Sequence, residues 1–312
     1  MTRESASFQN ALIKGSTGRH ETFTPRYGWL KKGYDRCLAN PHVFNDENAI
    51  EQIGVGKNMV RSIRFWCLLF RLLENDKKPG CLRPSDFGKQ LLDTDNGWDP
   101  YLEDPASLWL LHWQIFRAPF MAVSWNLAFS YIMLQTFTSR ELTNAIDAKA
   151  REVEGLCNIA KGSFEKDVSC ILRMYVPDSR GQVEIRCPFT DLGLIVPAIE
   201  SPEKDRYRFL SGSKQNLPDL VFMATVFNYA SEWYPGQNSL PLSHITFGPM
   251  SPGMAFRLSE SECGQRIERV CRQINGAMFT ETNGIRQVQF FQTPEELNKE
   301  CLKKYYGGRD EA

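Results

Sequence analysis

The sequence predicts a mainly α-helical protein with small β-hairpins, in which winged-helix or helix-turn-helix-like modules flank a helical core. Three observations predict this class. Capping residues and glycine corners cut most of the chain into short segments of helical periodicity. Asn45 to Trp66, NDENAIEQIGVGKNMVRSIRFW, has the pattern of two helices joined by a tight glycine turn. Near the C-terminus, two strand-like runs flank Thr282-Asn283-Gly284, a hairpin turn in the making.

Taken in order, residues 1–18 are polar and read as a flexible arm. Residues 19–34, dense in aromatic and charged side chains, start the fold. In the 45–66 segment, Asn45 or Asp46 is placed to cap the first helix, whose buried side is Ala49, Ile50 and Ile53. Gly54 supplies the corner, because a residue without Cβ tolerates positive φ. Val55, Val60 and Ile63 then pack the second helix back on the first. Residues 74–80 form a loop, and Ser85 caps a short helix over Asp86 to Leu92. No clear wing is evident in this region. Asp104 caps a strong helix with Pro105 at its first position.

Further helices are expected at about 119–135, 140–153 and 164–175, with Ser139 and Ser163 at or near their caps. Residues 176–217 are interrupted by Pro177, Pro188, Pro197 and Pro202 and read as an irregular connector. A helix follows over about 218–233. Ser259 and Glu262 form a capping box for a helix reaching about Ile274. Ala277 to Glu281 and Ile285 to Phe291 are the hairpin strands, and Thr293, Pro294 and Glu296 begin a last helix. The expected organisation is therefore an arm (1–18), an N-terminal helical domain (19–175), a connector (176–217) and a C-terminal winged-helix-like domain (218–312).

The 312 residues carry 37 basic and 37 acidic side chains, so any polyanion binding rests on local patches. One runs from Lys57 to Lys89, where eight basic residues face only Glu74, Asp76 and Asp86. The nine cysteines include no CxxC pair, which argues against a structural zinc site and for a reducing cytoplasm. Cys67, Cys170 and Cys271 read as small core hydrophobes. Met1 to Gly18 lacks the apolar stretch of a signal peptide. The uncharged run Ala118 to Ser139 is long enough to span a membrane, but its Ser, Asn, Gln and Thr residues favour a buried central helix.

The second helix of the 45–66 segment points Lys57, Asn58, Arg61 and Arg64 outward. Arginine and asparagine can read base edges and lysine neutralises phosphate, so this is a candidate DNA-reading face. A phosphate-loop reading of Gly54-Val55-Gly56-Lys57 fails, because the Gly-Lys-Ser/Thr ending and a preceding buried strand are missing. Arg266, Arg269 and Arg272 on the second C-terminal helix, with Arg286 on the wing, form a second candidate DNA surface, or else a solvated helix face.

Metal-dependent phosphodiester hydrolysis needs carboxylates around the ion and a group to manage protons. His20 and Glu21, with Arg26, Lys31 and Lys32 nearby, are candidates for catalysis, or for a tie between Glu21 and Arg26. Asp99, Glu103 and Asp104 are candidate metal ligands, Asp104 equally a helix cap. Asp178 with Glu184 and Arg186 resembles a nuclease pattern at short spacing, and equally a turn between strands. Glu165, Lys166 and Asp167 point to different sides of a helix and suit its dipole better than a shared ion. His112, between Trp109 and Trp113, reads as a core histidine.

Three motifs carry a family resemblance. The first is His20-Glu21-Thr22-Phe23, with Arg26, Trp29-Leu30 and Lys32-Gly33. The second is Gly54-Val55-Gly56-Lys57-Asn58-Met59-Val60, followed by Ile63 and Trp66. The third is Asp99-Pro100-Tyr101-Leu102-Glu103-Asp104-Pro105, with Leu108-Trp109 and Trp113. Together they resemble the SspB-like family, a bacterial domain-of-unknown-function family whose members sit beside sulfur-transfer genes for DNA phosphorothioation. The resemblance implies a cytoplasmic protein of a bacterial defence system that nicks double-stranded DNA with a divalent metal, expected to be magnesium. It also implies partners that install sulfur: a cysteine desulfurase, an ATP-pyrophosphatase-type sulfur transferase and an ATPase. The alternative is a non-catalytic adaptor that recognises the DNA site and recruits those proteins.

Overall fold

The computed structural model describes residue 12 and residues 15–177, 187–198 and 205–307. The chain is mainly helical, with three small antiparallel sheets. The N-terminal part runs α1 (Trp29–Ala39), a 3₁₀ turn (Val43–Asn45), α2 (Ala49–Ile53) and α3 (Lys57–Leu69), then a hairpin of β1 (Leu73–Asn75) and β2 (Leu82–Pro84). α4 (Asp86–Leu92) and α5 (Pro105–Gln114) follow, then α6 (Val123–Ser130), α7 (Ser139–Arg151) and α8 (Lys161–Tyr175).

The glycine corner forms as expected: Gly54 closes α2 in the left-handed region at φ 71°, its N–H bonded to Ile50 O. The start of α2 differs. The helix begins at Ala49, because the Asp46 carboxylate accepts from Asn48 N at 2.8 Å and holds the preceding residues in a local turn. Ile50, expected inside, is half exposed, while Ala49 and Ile53 are buried. The β1–β2 hairpin is the element the sequence hid. Its strands are three residues long, and Asn45 Nδ2 pins its turn by donating to Gly80 O at 2.6 Å.

α5 and α6 are the buried centre; every residue of both helices is buried except Pro105, at the first position of α5. Asp104 caps α5 by accepting from Ala106 N, with Pro105 at the first position. His112 is a core histidine bridging two neighbours: Nδ1 meets Tyr175 Oη at 2.8 Å and Nε2 meets Ala255 O at 2.9 Å. Burial pushes its pKa down to about 3. α6 spans Val123–Ser130, shorter than the expected 119–135. Residues beyond it turn so that Phe137 can bridge Tyr207. No helix among the described residues is long and apolar enough to cross a membrane.

After α8 come a 3₁₀ turn (Pro188–Leu192) and a small sheet of β3 (Ile195–Pro197) and β4 (Tyr207–Phe209). The C-terminal part runs α9 (Asp219–Trp233), β5 (Ser239–Pro241), α10 (Leu242–Phe247), α11 (Pro252–Phe256), α12 (Glu260–Cys271), β6 (Ala277–Thr282), β7 (Ile285–Phe290) and α13 (Pro294–Gly307). Asn283 and Gly284 both take positive φ, 52° and 77°, the requirement of the predicted two-residue turn. Ser259 caps α12 by accepting from Glu262 N at 3.2 Å. The sheet order is β5-β7-β6, all antiparallel, and β5 was not anticipated.

The two ends of the chain share one core. Trp113 Nε1 donates to Asn228 Oδ1 at 2.9 Å, and Arg117 Nε to Glu232 Oε1 at 2.6 Å. α13 packs along α9 and brings Tyr305 to Asp104 and Tyr306 to Ser107.

Candidate nucleic-acid interface

α3 begins at Gly56, whose extended backbone (φ −62°, ψ 158°) starts the helix without a side-chain cap. Its first N–H groups, the positive end of the helix dipole, therefore sit beside Lys57 and Asn58, both exposed. Arg61 lies one turn on, with its side chain 55% exposed and a loose contact to Glu21 at 3.6 Å. A pair this open to water is worth little and yields readily to a phosphate. Valine and isoleucine fix which way the helix faces: Val60 and Ile63 are buried against α1 and α2, so the polar residues between them turn outward. Arg64 is recessed instead. It is half buried, its Nε has no partner, and burial lowers its pKa below the ordinary guanidinium value.

β1–β2 follows α3 directly, and Lys77 and Lys78 are exposed at its turn. Arg83 on β2 pairs with Glu74 across the hairpin.

The expected catalytic trio does not converge. His20 is 1% exposed, walled by Phe65, Trp66 and Trp125. Its Nδ1 accepts from Thr22 N at 3.0 Å, which places the ring proton on Nε2, facing Asp167 Oδ1 at 2.8 Å. Asp167 also accepts from Gly18 N at 2.8 Å and Ser124 Oγ at 2.6 Å. The buried carboxylate thus ties the N-terminal segment to α6 and α8. The dipole reading of Asp167 does not hold, because it lies in the middle of α8 and is buried; its link to His20 was not legible, because nothing in its spacing points to it. Glu21, in a left-handed turn at φ 49°, faces Arg61 rather than Arg26, whose guanidinium lies over Trp29 at 5.1 Å. Lys32 is exposed on α1.

The three candidate metal ligands are close in space, but two of them are engaged. Asp99 accepts from Glu103 N and Asp104 N, both at 2.9 Å, and from Ser107 Oγ at 2.6 Å. Asp104 caps α5 and accepts from Tyr305 Oη at 3.1 Å. Only Glu103 is exposed. Among the described residues, no group of three or more His, Cys, Asp or Glu is arranged to hold a metal ion. Asp99 and Asp104 build the turn that starts α5. Asp178, Glu184 and Arg186 lie outside the described residues.

The C-terminal arginines hold the fold. Arg266 is 4% exposed and donates to Leu217 O (2.6 Å), Lys214 O (2.7 Å) and Asp219 Oδ1 (2.7 Å). Arg269 clamps the same Asp219 with two bonds, at 2.5 and 3.0 Å. Arg286 lies over the Phe279 ring at 5.2 Å and against Gly264 of α12. Arg266 is thus no surface contact; it and Arg269 bind α12 to Asp219 at the start of α9, while Arg286 packs on Phe279 beside α12. Arg272 pairs with Glu268 at 2.6 Å.

A family model described as protein of unknown function (DUF4007) matches residues 18–306. Two solved structures are similar over 95% of this chain and 90% of theirs, each at 33% identity. One is an SspB crystal structure (TM-score 0.87) and the other a magnesium ion-bound SspB crystal structure (TM-score 0.86). No curated protein matches the chain.

Proposed function

The chain belongs to the DUF4007 family, and from that premise we propose that it is a DNA-binding, magnesium-dependent nicking endonuclease of a phosphorothioate-modification and defence system. The observation that carries DNA binding is α3. An uncapped N-terminus, Lys57, Asn58 and Arg61 lie together on its open side, behind a glycine corner. That is a suitable surface for phosphate and base edges. The β1–β2 hairpin supplies a wing-like extension with Lys77 and Lys78 at its turn. The C-terminal order of helix, strand, three helices and two strands, with sheet order β5-β7-β6, supports a winged-helix reading there as well.

Magnesium enters the proposal through the ion-bound SspB structure. The protein acts in the cytoplasm on double-stranded DNA, beside a cysteine desulfurase, an ATP-pyrophosphatase-type sulfur transferase and an ATPase. A second reading, a recruiting adaptor without catalysis, is favoured by one observation: His20, Asp99 and Asp104 are all held by internal donors.

Supercoiled plasmid incubated with the purified chain, with and without magnesium, tests the two readings. Magnesium-dependent appearance of the open-circular form, lost in a Glu103→Gln or Glu21→Gln preparation, supports the nickase. Plasmid binding without nicking across several divalent metals leaves the adaptor.

A further inference from the structure

α4 and α13, far apart in sequence, form the two walls of a cleft. Lys299 and Lys303 lie one turn apart on α13 and so share a face; Lys89 opposes them from α4. Two acids lie close to the lysines, Asp86, 3.7 Å from Lys89, and Glu296, one turn before Lys299 on α13; both are exposed, so water screens these pairs. Lys299 and Lys303 form no ion pair among the described residues. The floor is apolar: Leu302 is buried, and the indole of Trp98 lines the space.

Trp98 is a stiff platform. Its ring stacks on Tyr306 with centroids 4.9 Å apart and planes 3° from parallel. Tyr306 Oη lies 3.2 Å from Ser107 Oγ, which donates to Asp99. The motif that resembles a metal site is thus the brace behind this aromatic wall. Gln90 adds an amide edge, and Asn298, whose Nδ2 is spent on Ala224 O, keeps its carbonyl oxygen as an acceptor.

Three ammonium groups gathered around a braced indole repel one another when the cleft is empty. A purely apolar ligand would not use them, and a simple polyanion would not use the indole. We infer that this cleft binds an unstacked nucleotide, its base against Trp98 and its phosphate on Lys89, Lys299 and Lys303. The same chemistry is offered by a free nucleotide and by an unpaired nucleotide of a DNA strand. The second source rests on the DNA reading proposed above; the first does not.

The test is titration calorimetry of the full chain with ATP, with a five-nucleotide single strand, with a duplex, and with inorganic tripolyphosphate. Variants Lys299→Gln/Lys303→Gln and Lys57→Ala/Arg61→Ala, all at exposed positions, accompany the wild type. The expected result is binding of ATP or of the single strand, weakened at least tenfold by the α13 pair and unchanged by the α3 pair. Binding of ATP identifies a free nucleotide as the source; binding of the strand alone identifies an unpaired DNA nucleotide. Loss of duplex affinity in the α3 pair, with nucleotide binding kept, separates the two surfaces. Tripolyphosphate binding as tightly as ATP, equal nucleotide affinity in the α13 pair, or no binding of either nucleotide ligand would overturn the assignment.

Discussion

His20 and Asp167, 147 positions apart, meet in the core with Nε2 and Oδ1 2.8 Å apart. The pair is buried on both sides, and the carboxylate has two other donors. Its work is to anchor the segment that carries Glu21 beside α3. Replacing His20 by Ala leaves a buried carboxylate short of a partner, at a cost of about 1.5 to 3 kcal/mol. Urea unfolding of the variant reads this directly. An unchanged midpoint would mean that the N-terminal segment is held elsewhere.

Asp99 should behave as a brace. Asp99→Ala removes the acceptor of two backbone N–H groups and the Ser107 hydroxyl. Each stranded donor costs about 1 to 3 kcal/mol. Thermal melts should show the same loss with excess magnesium and with a chelator. A loss seen only with magnesium would restore Asp99 as a ligand.

Lys57→Ala/Arg61→Ala touches no buried contact, so the melting temperature should stay within a degree or two of wild type. Duplex affinity should fall, and the dependence of log K on log salt should flatten by about 0.9 for each phosphate contact removed. Fluorescence anisotropy at several salt concentrations gives both quantities.

Arg266→Ala should do the reverse. Its guanidinium meets three buried or half-buried acceptors, and losing it costs about 3 to 5 kcal/mol of stability. Where the variant remains folded at low temperature, its duplex affinity should match wild type.

Lys214 sets a pH dependence. It is 4% exposed, donates to Gly193 O and Leu210 O, and burial lowers its pKa from 10.5 to about 8. Between these two values the unfolded chain binds the proton and the folded chain does not, so this group adds stability as pH rises. Relative to Lys214→Met, the wild type should gain up to about 3 kcal/mol from pH 8 to 10.5, and nothing below pH 7. Paired urea titrations across that range check the sign.

Local chemistry was legible in the sequence wherever one residue decides it. Gly54, Ser85, Asp104-Pro105 and Asn283-Gly284 each impose a backbone shape on their own neighbourhood, and each does so in the fold. The β1–β2 hairpin was not legible, because three-residue strands carry no usable alternation. Nor was β5, which exists only because β7 offers it an edge. For the site, Lys57, Asn58 and Arg61 on the open face of α3 followed from helical periodicity, whereas the half-buried Arg64 did not. The fates of His20 and Arg266 did not, because they depend on Asp167 and Asp219, whose proximity is a product of the tertiary fold.

Tyr305 and Tyr306 reach Asp104 and Ser107 across 201 and 199 positions. Contacts of that span form only after a long search, whose entropic cost precedes any gain. In refolding, α1 to α3 can associate early through near neighbours, while the wall made by Trp98 and Tyr306 must wait for α13 to dock. α3 and the cleft between α4 and α13 should therefore mature on different clocks.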